Sequence, residues 1–140
     1  MRIDEEYSKM FPIVKIDVVE KESVDEKDIA VLRVLDGLRQ SYEWIPFDVL
    51  VEKLPWNPMR IDRSIKDLIS LKCVSARYIG DTREIKINTR GMDTVALWDL
   101  KKHGVISEIG HVIGTGKEAV VINARGADGR WLVVKFHRYY

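Results

Sequence analysis

The hydrophobic pattern of this chain changes its period near Cys73, and that change limits the folds open to it. Through residues 29–38, apolar side chains recur at the spacing of an amphipathic helix. Residues 74–78 and 83–87 instead show the alternation of β-strands, and Gly80 supplies a turn between them. A helical region followed by a β-hairpin indicates an α+β fold.

Three helices are predicted before the hairpin. The first covers about residues 25–40, and the second is a short helix over residues 46–54 that opens on a proline. Asn57 and Pro58 suit an N-cap and a first helical position, so a third helix should begin there and end near residue 71. Its inner face is expected to carry Ile61, Ile65, Leu68 and Ile69. Three helices and a hairpin in this order predict a winged helix-turn-helix.

A second β region follows the predicted hairpin. A fourth helix comes first, over residues 89–103, with Thr89 as its cap and Gly104 as its left-handed end. Three antiparallel strands are then predicted at residues 105–113, 119–124 and 131–137. A three-stranded sheet cannot bury both of its faces alone, so this sheet is incomplete or pairs with something outside the chain.

Charge and cysteine content exclude several classes of protein. The net charge of +1 gives no general attraction to nucleic acid or membranes, although the chain is acidic before Ile29 and basic from Arg60 to Lys102. The single cysteine, Cys73, excludes an internal disulfide and a multi-cysteine zinc site, and we expect it to be buried. No apolar run is long enough to span a bilayer, and the acidic N-terminus lacks a signal-peptide pattern. These features predict a cytoplasmic protein without a membrane segment or a metal site of its own.

Gly114 and Gly116 form a glycine-rich loop between two predicted strands. A Walker A loop is excluded because its required glycine and hydroxyl residues are missing, and a dinucleotide fingerprint is excluded because no helix follows. The protein-kinase loop, G-x-G-x-x-G-x-V, matches with Ala119 in place of its third glycine. Lys135 ends a Leu-Val-Val-Lys run that is close to the kinase strand motif V-A-I-K. Small residues let backbone amides reach phosphate oxygens, and a lysine in an apolar cleft needs an anionic partner such as a phosphate.

Two residues inside the loop distinguish it from an ordinary kinase loop. Lys117 and Glu118 make it resemble the loop of the RIO kinases, G-x-G-K-E-[SA]. Residues 135–138 are similar to that family's K-x-H-R, and residues 87–97 resemble the L-T-x-x-G-Y-D-x-L-A-L run of its second, winged-helix-containing branch. The resemblance covers about residues 25–140 and points to that second branch.

The resemblance implies how the chain would bind a nucleotide. The loop would hold the phosphates of ATP, Lys135 would contact the α/β-phosphates, and Ile113 with Val121 would line the adenine side. The residues implied to bind ATP are Gly114, Gly116, Lys117, Glu118, Ala119, Val121 and Lys135.

The sequence also departs from the RIO pattern. Met92 stands where the family has tyrosine, Ala119 where this branch has a serine hydroxyl, and residues 139–140 are two tyrosines instead of leucine and glycine. The family's catalytic loop, metal-binding aspartate and mid-helix glutamate lie beyond the strand lysine and do not occur in this sequence. We therefore expect no catalytic residue here, no Mg²⁺ ligand, and no phosphate transfer without the remainder of the kinase.

The chain is predicted to have three segments. The residue pattern predicts an N-terminal arm or strand (1–24) and a winged helix domain with a C-terminal linking helix (25–103), and the resemblance implies a partial RIO-kinase N-lobe (104–140). The implied function is the N-terminal part of a serine/threonine kinase or ATPase in maturation of the small ribosomal subunit. Its implied partners are the pre-ribosomal small subunit and its rRNA. The alternative is a winged-helix module that binds nucleic acid or ribosomes, with a remnant kinase segment and no enzymatic activity.

Basic residues of the winged helix are candidates for nucleic-acid contact. In this fold the third helix enters a groove and the hairpin contacts the backbone. Opposite charges four residues apart, at Asp62 and Lys66 and at Arg63 and Asp67, are equally typical of a solvated helix surface, so both interpretations stay open. The candidates are Arg60, Arg63, Lys66, Arg77, Arg83 and Lys86. The four tryptophans, Trp44, Trp56, Trp98 and Trp131, are expected in the core or in interdomain packing.

Overall fold

A computed structural model of the chain describes residues 24–115 and 119–137, without the side chains of residues 110–115. The arm or strand expected at residues 1–24 therefore lies outside the described residues, apart from Val24. The elements in chain order are α1 (Glu26–Leu38), β1 (Ile45–Pro46), α2 (Phe47–Glu52), α3 (Pro58–Ser70), β2 (Val74–Ile79), β3 (Thr82–Ile87), α4 (Thr89–Lys102), β4 (Ile106–Thr115), β5 (Ala119–Gly126) and β6 (Trp131–His137).

Side-chain caps fix the starts of the longer helices. Asp25 caps α1 by accepting from the backbone N–H of Asp28, whose own carboxylate accepts in return from the N–H of Asp25. Asn57 caps α3 as predicted, accepting from the N–H of Arg60 at 2.9 Å. The cap of α4 was predicted one residue too late, because Asn88 and not Thr89 accepts from the first turn of the helix.

The chain break expected around Pro46 is a short strand. β1 pairs antiparallel with β3, with Ile45 opposite Ile85, and the first sheet has the order β1-β3-β2. Pro46 therefore precedes α2 instead of opening it, with an extended ψ of 139°. A proline is tolerated here because β1 is an edge strand, where the missing N–H removes no central ladder bond.

The core of the winged helix lies between α1, α3, α4 and the first sheet. Its fully buried apolar side chains include Leu32, Leu35, Leu50, Ile61, Ile65, Leu68, Ile85 and Leu97, and the predicted burial of Cys73 is confirmed. The inclusion of Ile69 in the inner face of α3 was wrong, since it is 40% exposed. It lies one position beyond Leu68, which rotates it about 100° toward solvent.

Two glycines shape the junctions of α4. A Cβ at Gly91 would lie 2.5 Å from the carbonyl oxygen of Cys73 and 2.6 Å from Cγ1 of Ile87, so only glycine lets α4 pack this closely on the first sheet. Gly104 has a φ of 75°, which confirms the predicted left-handed end of the helix.

The second sheet has the order β4-β5-β6, and both of its pairs are antiparallel as predicted. Its strands alternate between a more buried face, with Ile122, Ala124 and Phe136, and a more open face. The winged helix followed by these strands confirms the predicted α+β class.

Candidate functional site

The open face of the second sheet carries the strand lysine. On β6 the side chains of Trp131, Val133, Lys135 and His137 are all exposed, whereas Phe136 is buried. Trp131 is 61% exposed and Val133 is 64% exposed, which are large values for apolar residues. Trp131 is thus not in the core, and its ring lies under the guanidinium of Arg125 at 4.4 Å.

The register of the strands aligns three predicted ATP-binding positions. Gly114 on β4 is opposite Val121 on β5, and Val121 is opposite Lys135 on β6. The three residues form one row across the sheet, which we call the nucleotide row. Cross-strand partners share a face, so Val121 and Lys135 project to the same open side. Residues far apart in sequence are brought together here by strand pairing.

Other predicted loop residues are only partly within the described structure. Ala119 begins β5 opposite His137, where the glycine-rich loop rejoins the sheet. Gly116, Lys117 and Glu118 lie outside the described residues, and so does the side chain of Ile113. The apolar cleft expected around Lys135 is not closed by the described residues, because that side chain is exposed.

Hydrogen bonds attach α4 to the second sheet. Lys101 donates to the carbonyl oxygen of Ser107 at 3.3 Å, and the hydroxyl of Ser107 donates to the carbonyl oxygens of Arg125 and Gly126, each at 3.2 Å. Ser107 lies where the β4–β5 register is irregular, between Ile106 and Glu108. The last turn of α4 therefore holds the start of the strand that leads to the glycine-rich loop.

A second set of contacts joins α4 to the winged helix. The guanidinium of Arg33 on α1 forms two hydrogen bonds with the carboxylate of Asp99 on α4, one of them from Nη1 at 3.1 Å. Such paired contacts between a guanidinium and a carboxylate fix relative orientation as well as distance.

The described residues include several of the groups that bind a nucleotide in a kinase-like site. In the nucleotide row, backbone amides near Gly114 and the ammonium of Lys135 can contact phosphates. The side chain of Val121 offers apolar surface to a base. Within residues 24–115 and 119–137, no group of three or more His, Cys, Asp or Glu side chains could hold a metal ion. None of the described helices is both long and apolar enough to cross a membrane.

On the α3 side of the winged helix, several candidate cations have acidic partners inside the protein. The guanidinium of Arg60 is only 17% exposed and contacts the hydroxyl of Ser64 at 2.7 Å and the carboxylate of Asp25 at 3.5 Å. Lys66 lies 3.0 Å from Asp62, as the helical spacing predicted. The same carboxylate accepts from Arg83.

Two other candidates lie together on the outer face of the first sheet. Arg77 is 4.4 Å from the centre of the Trp44 ring, and the ammonium of Lys86 is 5.7 Å from it. Glu84 accepts from Nε of Arg77 at 2.8 Å. Trp98 is buried and Trp56 is half-buried against the core beside Lys27, so the packing expected for these two is confirmed. Trp44 is half-buried beneath Arg77 and Lys86 and is not part of the core.

Beside Lys86 lies a cleft that the sequence did not reveal. Its volume is about 370 Å³, and it is formed by the end of α1, the loop before β1, and β3. The lining residues are Arg39, Gln40, Ser41, Tyr42, Glu43, Ile45, Lys86 and Ile87. They come from two segments more than forty positions apart, so no local motif could have signalled the cleft.

The interface of α1 and α3 buries a carboxyl group. Burial raises the pKa of Asp28 from 3.8 to about 6, and the neighbouring carboxylates of Asp25 and Asp67 act in the same direction. The hydroxyl of Ser64 hydrogen-bonds to Asp28 and opposes that rise. Burial likewise raises the pKa of the Cys73 thiol, which keeps it protonated and unreactive.

Comparisons with known proteins identify relatives, although no family model matches the chain. It is 30% identical over 98 residues to the RIO-type serine/threonine-protein kinase Rio2 of Methanocaldococcus jannaschii, covering 70% of this chain and 35% of that protein. It is 23% identical over 126 residues to the serine/threonine-protein kinase RIO2 of Saccharomyces cerevisiae, covering 89% of this chain and 30% of that protein. The chain thus spans about a third of the length of the curated relatives it matches.

A solved structure shares the fold. The crystal structure of the Rio2 kinase-ADP/Mg²⁺-phosphoaspartate complex from Chaetomium thermophilum matches with a TM-score of 0.71 and 23% identity, over 82% of this chain and 34% of that one. The match includes most of the described elements, so the order of a winged helix followed by antiparallel strands is that of a known architecture.

Proposed function

The chain is an N-terminal portion of a RIO-type kinase of the RIO2 branch, and from that premise we propose that it supplies the phosphate-binding half of an ATP site. The residues proposed to bind ATP are Gly114, Gly116, Lys117, Glu118, Ala119, Val121 and Lys135. The backbone amides of the loop bind phosphate oxygens, Lys135 contacts the α/β-phosphates, and Val121 packs against the base.

The nucleotide row is the observation that supports this proposal. Gly114, Val121 and Lys135 align across three strands, with Val121 and Lys135 projecting from one face. A kinase-like site needs this arrangement, because the loop and the lysine must reach the same nucleotide from adjacent strands. A glycine-rich turn in an ordinary hairpin would need neither the lysine nor the shared face.

The remainder of the proposed kinase would complete the site. Mg²⁺ would neutralise charge on the transferred phosphate when bound, and the described residues include no group of three or more His, Cys, Asp or Glu side chains that could hold it. In the proposed whole protein the chain orients the phosphates, and the missing part supplies the base and the metal ligands. The chain alone is proposed to be catalytically incompetent.

We further propose a serine/threonine kinase or ATPase that acts in the cytoplasm during maturation of the small ribosomal subunit. The winged helix, proposed as a domain over residues 25–103, would bind the pre-ribosomal particle through its rRNA, and residues 104–140 would form the start of the kinase lobe. The described winged helix and its basic residues favour this division of labour.

A chimeric protein tests the proposed ATP site. This chain would replace the matching third of the Methanocaldococcus jannaschii relative, and ATP binding and phosphate transfer would be measured with and without Lys135→Met. We expect an active chimera and a loss of about a hundredfold or more in activity for the variant, since a charge in the site is removed. Lys53→Met, an exposed lysine at the end of α2, is the matched control and should change nothing.

The same experiment separates the second candidate function. A winged-helix module with a remnant kinase segment would give a chimera that folds but does not bind ATP. Equal activity of the Lys135→Met and Lys53→Met chimeras would also contradict the proposed role of Lys135.

A further inference from the structure

The candidate cations of the winged helix fall on two surfaces with different electrostatics. On the α3 side, Lys66 and Arg83 share the carboxylate of Asp62, and Arg60 is largely buried against Asp25. Binding a phosphate there would compete with contacts already made within the fold. Arg60 and Arg83 are held inside the fold, whereas Arg63 and Lys66 are exposed. Only two of the four candidates on this side therefore reach outward, as the cations of a duplex groove-binding helix must.

The outer face of the first sheet is built differently. Lys86 and Glu84 are two positions apart on β3 and therefore share a face, and Arg77 is the cross-strand partner of Glu84. Trp44 precedes β1 and brings its ring under both cations. Glu84 accepts from Nε of Arg77, while the two terminal nitrogens of the guanidinium carry four further N–H donors.

The cleft continues this surface beyond Lys86, which belongs to both. Its lining includes Ile45 and Ile87, which are almost fully buried, and several residues with hydrogen-bond donors. The lining residues with donor side chains are Arg39, Gln40, Ser41, Tyr42 and Lys86, and Glu43 is the one lining carboxylate. Nε of Arg39 already donates to the carboxylate of Asp36 at 2.7 Å. The Glu43 carboxylate lies 3.9 Å from the Lys86 ammonium. Both side chains are exposed, so this ion pair is weak in water.

We propose that Trp44, Arg77, Lys86 and the adjoining cleft, together called the outer wing surface, bind a single-stranded segment of RNA. This inference rests on the proposed rRNA binding of the winged helix and names the surface that performs it. Unpaired bases stack on aromatic rings and on guanidinium planes, while lysines and arginines neutralise the backbone. A concave cleft lined with hydrogen-bond donors can admit one splayed base, which a duplex cannot present.

Anisotropy of a short labelled single-stranded RNA, titrated with the 140-residue chain, tests the proposal. The double variant Arg77→Ser/Lys86→Ser should weaken binding by about tenfold or more and reduce the salt dependence by roughly one to two phosphate contacts. Glu43→Gln should tighten binding, because it removes the only carboxylate of the cleft. The double variant Arg63→Ser/Lys66→Ser, on the exposed face of α3, should lose less affinity than the outer-wing variant. The matched control Lys53→Ser/Lys102→Ser, two exposed lysines that belong to neither surface, should leave the affinity within about twofold of the unchanged chain.

Four results would overturn the proposal. The first is greater loss in the α3 double variant than in the outer-wing variant, and the second is tighter binding of duplex than of single-stranded RNA. The third is displacement of the RNA by an acidic peptide at equal concentration, which would assign the surface to a protein. The fourth is no RNA binding by the folded chain, and it leaves the ATP test with the chimera unaffected, so the two proposals fail separately.

Discussion

The winged helix and the second sheet differ in how far their apolar side chains are buried. In the first region Leu32, Leu35 and Ile65 are fully enclosed by helices and strands of the same region. In the second, Trp131 and Val133 stand exposed on the same face as Lys135. A region that completes its own core can act as a binding module by itself. A sheet with an open apolar face beside its most informative lysine is one side of a site that another segment completes.

The largest difference in the free energy of unfolding should come from truncating one apolar side chain in each region. Ile65→Ala removes a fully buried side chain from α3 and should lower the free energy of unfolding by about 2–5 kcal/mol. Val133→Ala removes an exposed side chain and should change it by about 0.5 kcal/mol or less. Urea denaturation followed by circular dichroism measures both. Equal losses would mean that the open face is covered in solution.

Glycine substitution tests how tightly the first region is packed. Gly91→Ala forces a Cβ against the carbonyl oxygen of Cys73 and should cost about 1–3 kcal/mol of stability. Gly37→Ala, in α1 with nothing within 4 Å of the added Cβ, should instead stabilise by about 0.5–1 kcal/mol. Thermal denaturation of the two variants measures both changes in stability. An unchanged stability of Gly91→Ala would contradict the close approach of α4 to the first sheet.

The buried carboxyl of Asp28 gives the first region a dependence on pH. Its pKa is raised to about 6, so the folded chain holds a proton that the unfolded chain releases above about pH 4, and stability falls as pH rises from about 4 to 6. Asp28→Asn keeps a side-chain oxygen that can accept from the N–H of Asp25 and removes the charge. Its stability relative to the unchanged chain should therefore rise by about 2 kcal/mol between pH 4 and pH 7.

Asp128, in the turn before β6, is the control for the second region. Its pKa is lowered by the backbone N–H and guanidinium of Arg130, so its contribution has the opposite sign and is lost as pH falls through its folded-state pKa. The free energy of unfolding of the Asp128→Asn variant is measured over the same pH range. Between pH 4 and 6, the unchanged chain should lose no stability relative to this variant. The same pH profile for both variants would contradict the assignment to Asp28.

The smallest effect concerns strain at the end of α3. Lys72 has a φ of 61° while its N–H donates to Ile69 at 2.9 Å and that of Cys73 donates to Leu68 at 2.9 Å. Lys72→Gly should relieve the left-handed conformation and raise stability by about 1 kcal/mol. Gly129→Ala, at φ 87° in the second region, should cost a similar amount. The melting temperatures of the two variants, measured by calorimetry, should shift in opposite directions. A lower melting temperature for Lys72→Gly would contradict the prediction.

Local signals in the sequence predicted much of the fold. The cap at Asn57 and the left-handed Gly104 were predicted because each residue acts on its immediate neighbours in the chain. The strand at Ile45 was missed because a two-residue strand has no periodicity and exists only through its pairing with β3. The cleft beside Lys86 and the buried Asp28 depend on contacts between distant segments, which no local pattern encodes.

The candidate site divides in the same way. The glycine-rich loop and Lys135 are recognisable in the sequence because their spacing reflects one strand-loop-strand unit. Their alignment with Val121 in one row required the strand register. The exposure of Lys135 was not predictable, since it depends on what covers the open face and not on the strand that carries it.

The central proposal is that this chain supplies a phosphate-binding face without the base and the metal ligands that complete an ATP site. Titration of the 140-residue chain with ATP and Mg²⁺ in a calorimeter tests that claim most directly. We predict very weak binding or none, because Lys135 is exposed and lies beside the half-buried Val121 on the open face of the sheet. A submillimolar dissociation constant that is lost in Lys135→Met would contradict it, since half of the cleft would then be enough to bind the nucleotide.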